Sequence, residues 1–134
     1  MSLISELEAQ LTHTAALVAP STVSVGRDHR GAGVVVAPGK VLTNAHNLRD
    51  RTVQITFDDG RVEQAKVVGA DPGHDLVVLD VDTGDAPALE WADRAPGLGA
   101  FVVAAARDGA GVRVTLGTVS QPSRSFRGPG GRPI

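Results

Sequence analysis

The pattern of hydrophobic and polar positions divides the chain into one helical segment and a series of short strands. Apolar residues recur every four positions near the start of the chain, at Leu3, Leu7, Leu11 and Ala15. This spacing predicts an amphipathic helix. Ser5 with Glu8 could form a capping box, and Ser2 is an alternative N-cap. Pro20 is expected to end the helix, because proline disfavours helical geometry in the residue before it.

Six short segments after the helix have the alternating or fully apolar pattern of strands. They are Thr22–Val25, Gly33–Ala37, Lys40–Thr43, Thr52–Phe57, Arg61–Gly69 and Leu76–Val81. Pro38-Gly39 and Asp58-Asp59-Gly60 are turn sequences, and the second of them predicts a hairpin. Strands at this spacing indicate an antiparallel barrel or sandwich, so the chain is predicted to be all-β.

The remainder of the chain reads as a connector, a second hairpin and a tail. Residues 82–99 are rich in Pro, Asp, Ala and Gly and carry no regular period. Phe101–Ala106 and Val112–Val119 predict two strands that turn at Asp108–Gly111. Gln121–Ile134 contains several prolines and glycines and is predicted to be a loop.

Composition narrows the functional classes. Thirteen basic and fifteen acidic residues give a net charge of −2, and only 3% of residues are aromatic, which argues against a nucleic-acid partner. The chain has no cysteine, which excludes disulfides and thiolate chemistry. No apolar run is long enough to span a membrane, and Met1–Glu8 does not resemble a signal peptide. The compartment stays open.

The four histidines are the candidates for acid–base or metal chemistry. His13, His29 and His74 are read as ordinary helix, loop and turn residues, and the ligand spacing of a metal site is absent, so neither a metal nor a cofactor is expected. His46 differs because a strand delivers it to a turn of small residues. Asp75 stands immediately before an apolar strand, and such a carboxylate could orient a histidine that acts as a general base.

Several blocks resemble one enzyme family in their order along the chain. Gly31–Val36 and Gly39–His46 are similar to the catalytic-histidine block of trypsin-like serine proteases, nearest to the bacterial HtrA/Deg branch. Asp71–Leu79 is similar to the catalytic-aspartate block of that branch. Leu116–Ser120 resembles the strand that opens the second barrel, and Gly130–Ile134 resembles the approach to the nucleophile loop.

The resemblance implies a fold, a set of domain limits and a role for each site residue. It implies a six-stranded antiparallel Greek-key barrel with an N-terminal helix laid against it and an incomplete second barrel. The domain limits would be residues 1–20 for the helix, 21–97 for the first barrel and 98–134 for the first hairpin and tail of the second. His46 would be the general base and Asp75 its partner, with no cofactor. The substrate would be a peptide or an unfolded protein, cleaved by the parent enzyme.

Three departures from the family pattern limit the expected activity. The Gly-Asn-Ser-Gly-Gly nucleophile loop is absent, and no serine in the chain has a glycine neighbour. Ala104–Arg107 replaces the usual Gly-Asn-Pro, and Asn47-Leu48 replaces two apolar residues. The chain is therefore predicted to be an inactive part of a serine endopeptidase; the alternative is a non-catalytic, protease-derived binding or scaffolding module. The apolar hairpin within residues 100–120 further suggests a homo-oligomer.

Overall fold

The computed structural model describes residues 2–28, 31–48 and 52–122, in which one helix precedes eight strands. Helix α1 spans Leu3–Val18. The strands are β1 (Thr22–Val25), β2 (Gly31–Ala37), β3 (Lys40–Asn44), β4 (Thr52–Thr56), β5 (Val62–Asp71), β6 (Leu76–Asp80), β7 (Phe101–Asp108) and β8 (Gly111–Thr118). Short 3₁₀ turns follow α1, follow β3 and precede β6, at Ala19–Ser21, Ala45–Asn47 and Pro72–His74.

Strands β1 to β6 form a closed antiparallel barrel in the order β1-β2-β3-β6-β5-β4, with β4 pairing back to β1. The predicted six-stranded antiparallel barrel is confirmed, and the sandwich is excluded. Strand β3 pairs with β6 along its length, from Lys40 opposite Asp80 to Asn44 opposite Leu76. Antiparallel pairing places the residues that follow β3 beside those that precede β6. This edge of the barrel carries the site described below.

The barrel interior is filled mainly by short β-branched side chains, as the alternation along the strands predicts. The buried core consists of Val23, Val25, Val35, Val41, Ile55, Phe57, Ala65, Val77, Leu79 and Val81. Burying each larger aliphatic side chain contributes about 1.5–3 kcal/mol. Gly33 lies where the strands approach most closely: a Cβ there would be 2.9 Å from Cγ1 of Val41 and 3.2 Å from Cγ2 of Val23.

Strands β7 and β8 form a separate two-stranded antiparallel sheet, which confirms the second hairpin. Strand β7 contacts β1 and β2, so one face of the sheet lies against the barrel. Helix α1 packs mainly on β7 and β8, and none of its residues is buried. The expectation that the helix covers the barrel is therefore corrected: its apolar stripe follows the second sheet instead.

The two ends of α1 test the predictions based on Ser2, Ser5 and Pro20, and the helix ends before Pro20 as predicted. The N-cap is Ser2, whose Oγ accepts the amide N–H of Ser5 at 3.1 Å, so the capping box at Ser5 and Glu8 is wrong. The α-helix ends at Val18, and Pro20 lies in the following 3₁₀ turn. Proline is tolerated there because the first N–H groups of a helical turn need no intrahelical acceptor.

Several strand limits also differ. Strand β2 begins at Gly31, two residues before the predicted start, and β5 continues to Asp71 instead of ending at Gly69, through a register shift between Val67 and Gly69. Residues 82–99 contain no helix or strand, as predicted. The expectations for His29 and for residues 123–134 of the tail lie outside the described residues. Over the described ranges, no helix combines the length and apolarity that crossing a bilayer requires.

Candidate active site

His46 lies just past the end of β3, in the 3₁₀ turn Ala45–Asn47. The strand that carries it is anchored, because Val41 and Thr43 are buried and the Oγ1 of Thr43 donates to the carbonyl of Ala32 at 2.7 Å. The His46 side chain is nevertheless 67% exposed. The fold therefore holds the backbone of His46 in place and leaves its imidazole accessible to solvent.

Asp75 lies between the 3₁₀ turn Pro72–His74 and β6, directly across the barrel edge from His46. Its backbone is left-handed, with φ 57° and ψ 39°, and it is the one non-glycine residue with positive φ in the part of the chain that the structure describes. Aspartate enters this region more readily than most residues, because its short polar side chain can hydrogen-bond to nearby backbone. Its side chain is 18% exposed, less than that of His46.

Four hydrogen bonds join Asp75 to the end of β3. His46 donates Nδ1–H to Oδ2 at 2.5 Å and its backbone N–H to Oδ1 at 2.8 Å. The carbonyl oxygen of Asp75 accepts the backbone N–H of Ala45 at 3.1 Å and the Nδ2 amide of Asn44 at 3.2 Å. The structure thus brings together the two residues that the sequence singled out, in contact and with the aspartate the more buried.

The ionisation of Asp75 determines which ring nitrogen of His46 carries the proton. Hydrogen bonds from the His46 side chain, and then from the His46 backbone N–H, lower the pKa of the Asp75 carboxyl below its ordinary value. An ionised carboxylate can only accept hydrogen bonds, so Nδ1 of His46 is the donor. In a neutral imidazole the lone pair is then on Nε2, which is the nitrogen that can act as a base.

A second histidine–aspartate pair lies one turn away. His74 Nδ1 is 2.7 Å from Oδ2 of Asp71, and both side chains are exposed. Hydrogen bonding from the His74 side chain lowers the pKa of Asp71. Sequence analysis read His74 as a turn residue, which is correct, but missed its partner, although the three-residue spacing could have indicated it. This pair closes the turn that precedes Asp75.

A cavity of about 450 Å³ begins beside the His46–Asp75 pair and runs between the two sheets. Asn44 and Leu76, the neighbours of the pair at the barrel edge, line one wall. Val103 and Ala105 of β7 also line the cavity. Its lining is mostly apolar, and the second sheet forms part of it.

The other candidate residues do not join this site. His13 is exposed on α1, and no group of three or more metal-ligating side chains occurs among the described residues. Ser21 is fully buried and donates to the carbonyl of Pro87 at 2.6 Å, while Ser24 is also fully buried in β1. Ser123 and Ser125 lie outside the described residues. Sequence analysis gave no signal for the contact of Asn44 with Asp75, because that contact depends on the pairing of β3 with β6.

The chain matches the family model described as the trypsin-like peptidase domain over residues 31–133. It is 35% identical over 107 residues to the serine endoprotease DegS of Escherichia coli (strain K12), a match that covers 76% of this chain and 30% of DegS. It is also 35% identical over 125 residues to a probable periplasmic serine endoprotease, DegP-like, of Bartonella henselae, covering 80% of this chain and 24% of that protein.

Solved structures give the same result. The crystal structure of the serine endoprotease from Yersinia pestis matches with a TM-score of 0.72 and 30% identity, covering 82% of this chain and 44% of the other. The inactive form of the Rv3671c protease matches with a TM-score of 0.74 and 29% identity, covering 88% and 60%. The chain therefore spans less than a third of the length of the two curated relatives.

Proposed function

This chain belongs to the trypsin-like peptidase domain family, in its HtrA-type branch, and from that membership we propose that it supplies the general base and the orienting carboxylate of serine-type peptide hydrolysis. His46 is the base and Asp75 is the carboxylate. The substrate class is a peptide or an unfolded protein. The observation that carries the proposal is the contact of His46 Nδ1 with Asp75 at the edge of a closed barrel.

The geometry supports a specific role for each residue. Asp75 holds the proton of His46 on Nδ1, so Nε2 can take the proton of a serine hydroxyl as that oxygen attacks the peptide carbonyl. The ionised carboxylate stabilises the imidazolium that forms. His46 then gives the proton to the leaving amine, and a second cycle with water releases the acyl group. Each proton passes through Nε2, on an imidazole that is mostly exposed.

The nucleophile is proposed to come from outside these 134 residues. The sequence contains no Gly-x-Ser-Gly-Gly block, and no serine is flanked by glycine. The backbone donors of an oxyanion hole accompany that block in the family. We therefore propose that residues 21–97 form the first barrel of a two-barrel protease and that residues 98–134 begin the second. On its own the chain is expected to be inactive.

The test compares the 134-residue chain with the complete natural polypeptide that carries it. The complete polypeptide is expected to hydrolyse unfolded protein and to react with a fluorophosphonate, whereas the chain alone is expected to do neither. Replacing Asp75 with asparagine should lower kcat about 10⁴-fold, and replacing His46 with alanine should lower it about 10⁶-fold. His74→Ala is the matched control, because it removes an exposed, aspartate-paired histidine of the next turn.

Two results would overturn the proposal. Hydrolysis that survives His46→Ala would remove the general base from the mechanism. A complete polypeptide that binds unfolded protein yet neither cleaves it nor reacts with fluorophosphonate would favour the alternative, a binding or scaffolding module.

A further inference from the structure

Arg107 carries a buried charge that takes no part in the proposed peptide hydrolysis. Its side chain is 6% exposed, although a guanidinium stays protonated in proteins. It donates from Nε to the carbonyl of Thr22 at 2.7 Å and from Nη2 to the carbonyl of Ala19 at 2.9 Å, and it also pairs with the carboxylate of Asp58. A buried cation is costly unless it is well partnered, so these three acceptors account for its position.

The three acceptors belong to different parts of the fold. Ala19 is the C-cap of α1, Thr22 begins β1, and Asp58 lies in the turn between β4 and β5. The last turn of α1 contains no basic residue, so the cation that a helix C-terminus favours is supplied here from β7. Arg107 therefore ties the second sheet to the helix end and to the barrel at once.

Backbone pairing does not fix the second sheet against the barrel. Strands β7 and β8 pair with each other, and the barrel is closed by its own six strands. Apolar contact between β7 and strands β1 and β2 attracts the sheet but is non-directional. Hydrogen bonds from a planar guanidinium are directional, so Arg107 can define a single position.

The position of β7 matters for the site because β7 forms a wall of the cavity beside it. Val103 and Ala105 precede Arg107 on the same face of the strand and line the cavity. The lining of the cavity also includes Asn44, which is hydrogen-bonded to Asp75. A shift of β7 would thus change the width of the cavity next to the His46–Asp75 pair.

We propose that Arg107 is a positioning residue, which locks the second sheet onto the barrel and sets the width of the cavity beside His46 and Asp75. Its value to catalysis rests on the proposed function, but the locking itself does not.

The absence of cysteine from the chain allows a direct measurement of this position. Cysteines introduced at the exposed Gln64 on β5 and Thr115 on β8 would carry nitroxide spin labels, and dipolar EPR would report the distance between barrel and second sheet. In the labelled chain that keeps Arg107, we expect one narrow peak in the distance distribution. In Arg107→Gln, we expect this narrow peak to be lost. Arg113→Gln is the matched control, because Arg113 lies on β8, is 71% exposed and is ion-paired with Asp108 of the same hairpin.

A second measurement separates a moved sheet from an unfolded chain. The Nδ1 proton resonance of His46 reports an intact barrel edge and should persist in Arg107→Gln. If Arg107→Gln loses that resonance, the distance measurement is repeated in Asp58→Asn. This variant weakens the pair of Arg107 with Asp58 and keeps the arginine. A narrow, unshifted distance peak in Asp58→Asn, or in an Arg107→Gln chain that keeps its barrel, would overturn the proposal. No readout is enzymatic, so a complete polypeptide without hydrolytic activity would overturn the proposed function and leave this inference standing.

Discussion

At the scale of single residues, Asp75 combines a left-handed backbone with a carboxylate and a carbonyl that accept several hydrogen bonds. Its backbone is in the left-handed region, which costs a non-glycine residue roughly 1–2 kcal/mol. Its carboxylate and carbonyl accept four hydrogen bonds from the end of β3. These bonds hold the residue in a conformation that it would otherwise leave. The left-handed turn thus places the Asp75 carboxylate in contact with His46.

The carboxyls of Asp71 and Asp75 should titrate independently of each other. Because the His46 side chain is the main cause of the lowered pKa of Asp75, His46→Ala should raise that pKa part of the way to its ordinary value. The pKa of Asp71 should stay where it is. His74→Ala should do the reverse, raising the pKa of Asp71 alone. Carboxyl ¹³C NMR titration of the three proteins measures both groups. A shift of both pKa values in either variant would show that the pairs are coupled.

Stability at acid pH follows from the same two shifts. Both carboxyls have a lower pKa in the folded chain than the ordinary value of 3.8, so each stabilises the fold above that pH. This stabilisation is lost as the pH falls through the folded-state pKa values. The free energy of unfolding should therefore decrease below about pH 4, and it should decrease less steeply in Asp71→Asn/Asp75→Asn. Urea unfolding between pH 2.5 and 6 measures the two slopes, and equal slopes would contradict the prediction.

The site was predictable from sequence only to the extent that it depends on local context. A histidine at the end of an apolar strand and an aspartate at the start of another mark the two central residues. Asn44 and Arg107 carry no such mark, since their contacts exist only once β3 pairs with β6 and β7 meets the barrel. An arginine in an otherwise apolar strand gives no indication of its acceptors, which lie 49 to 88 residues away in the chain.

At the scale of elements, the close approach of β2 to its neighbours gives a stability prediction. Gly33→Ala places a Cβ within 2.9 Å of Val41 and 3.2 Å of Val23, both buried, so the strands must move apart. Such overpacking typically costs about 1–3 kcal/mol. Gly117→Ala on β8 is the matched control, because no atom lies within 4 Å of its added Cβ. Chemical unfolding should show a loss for the first variant only. Equal stability of the two variants would show that the barrel yields at Gly33.

The periodicity of the sequence predicted which segments are strands, but it did not predict where each strand begins and ends. Alternation identifies Val53 and Ile55 as neighbours on one face, because that pattern is a property of every strand. The extension of β5 to Asp71 depends on its partner β6, which continues past the point where the apolar pattern of β5 weakens. Pro20 signals the end of the α-helix correctly to within two residues, and it cannot report that a 3₁₀ turn follows.

At the scale of the whole molecule, the second sheet is only partly covered. Its outer region and the preceding connector expose large apolar side chains, namely Trp91, Leu98, Phe101 and Val102. Two-stranded sheets with free edges pair readily with further strands. Helix α1 packs on β7 and β8 but leaves these side chains exposed. The sequence indicated that the hairpin is apolar and must be buried by something. Which part of it the barrel buries and which part the helix buries depends on tertiary packing.

We predict that the 134-residue chain self-associates through this hairpin. Sedimentation equilibrium at micromolar concentration should show a species heavier than the monomer. Phe101→Lys and Val102→Lys should shift the equilibrium to monomer, because each places a charge at an exposed apolar position at the start of β7. Leu17→Lys on α1 is the control, since Leu17 is apolar and about as exposed as Phe101 but lies on the helix. A monomer at every concentration tested would refute this prediction.

The closed barrel is built from one uninterrupted stretch, residues 22–80, and this has a consequence for the order of events during synthesis. A ribosome releases the chain from its N-terminus, and domains fold as units while later residues are still being added. All six barrel strands, with His46 and Asp75 at their edge, leave the ribosome before Arg107 does. The barrel can therefore close early, and the second sheet then docks onto a finished surface. The His46–Asp75 contact is in this way assembled ahead of the sheet that lies beside it.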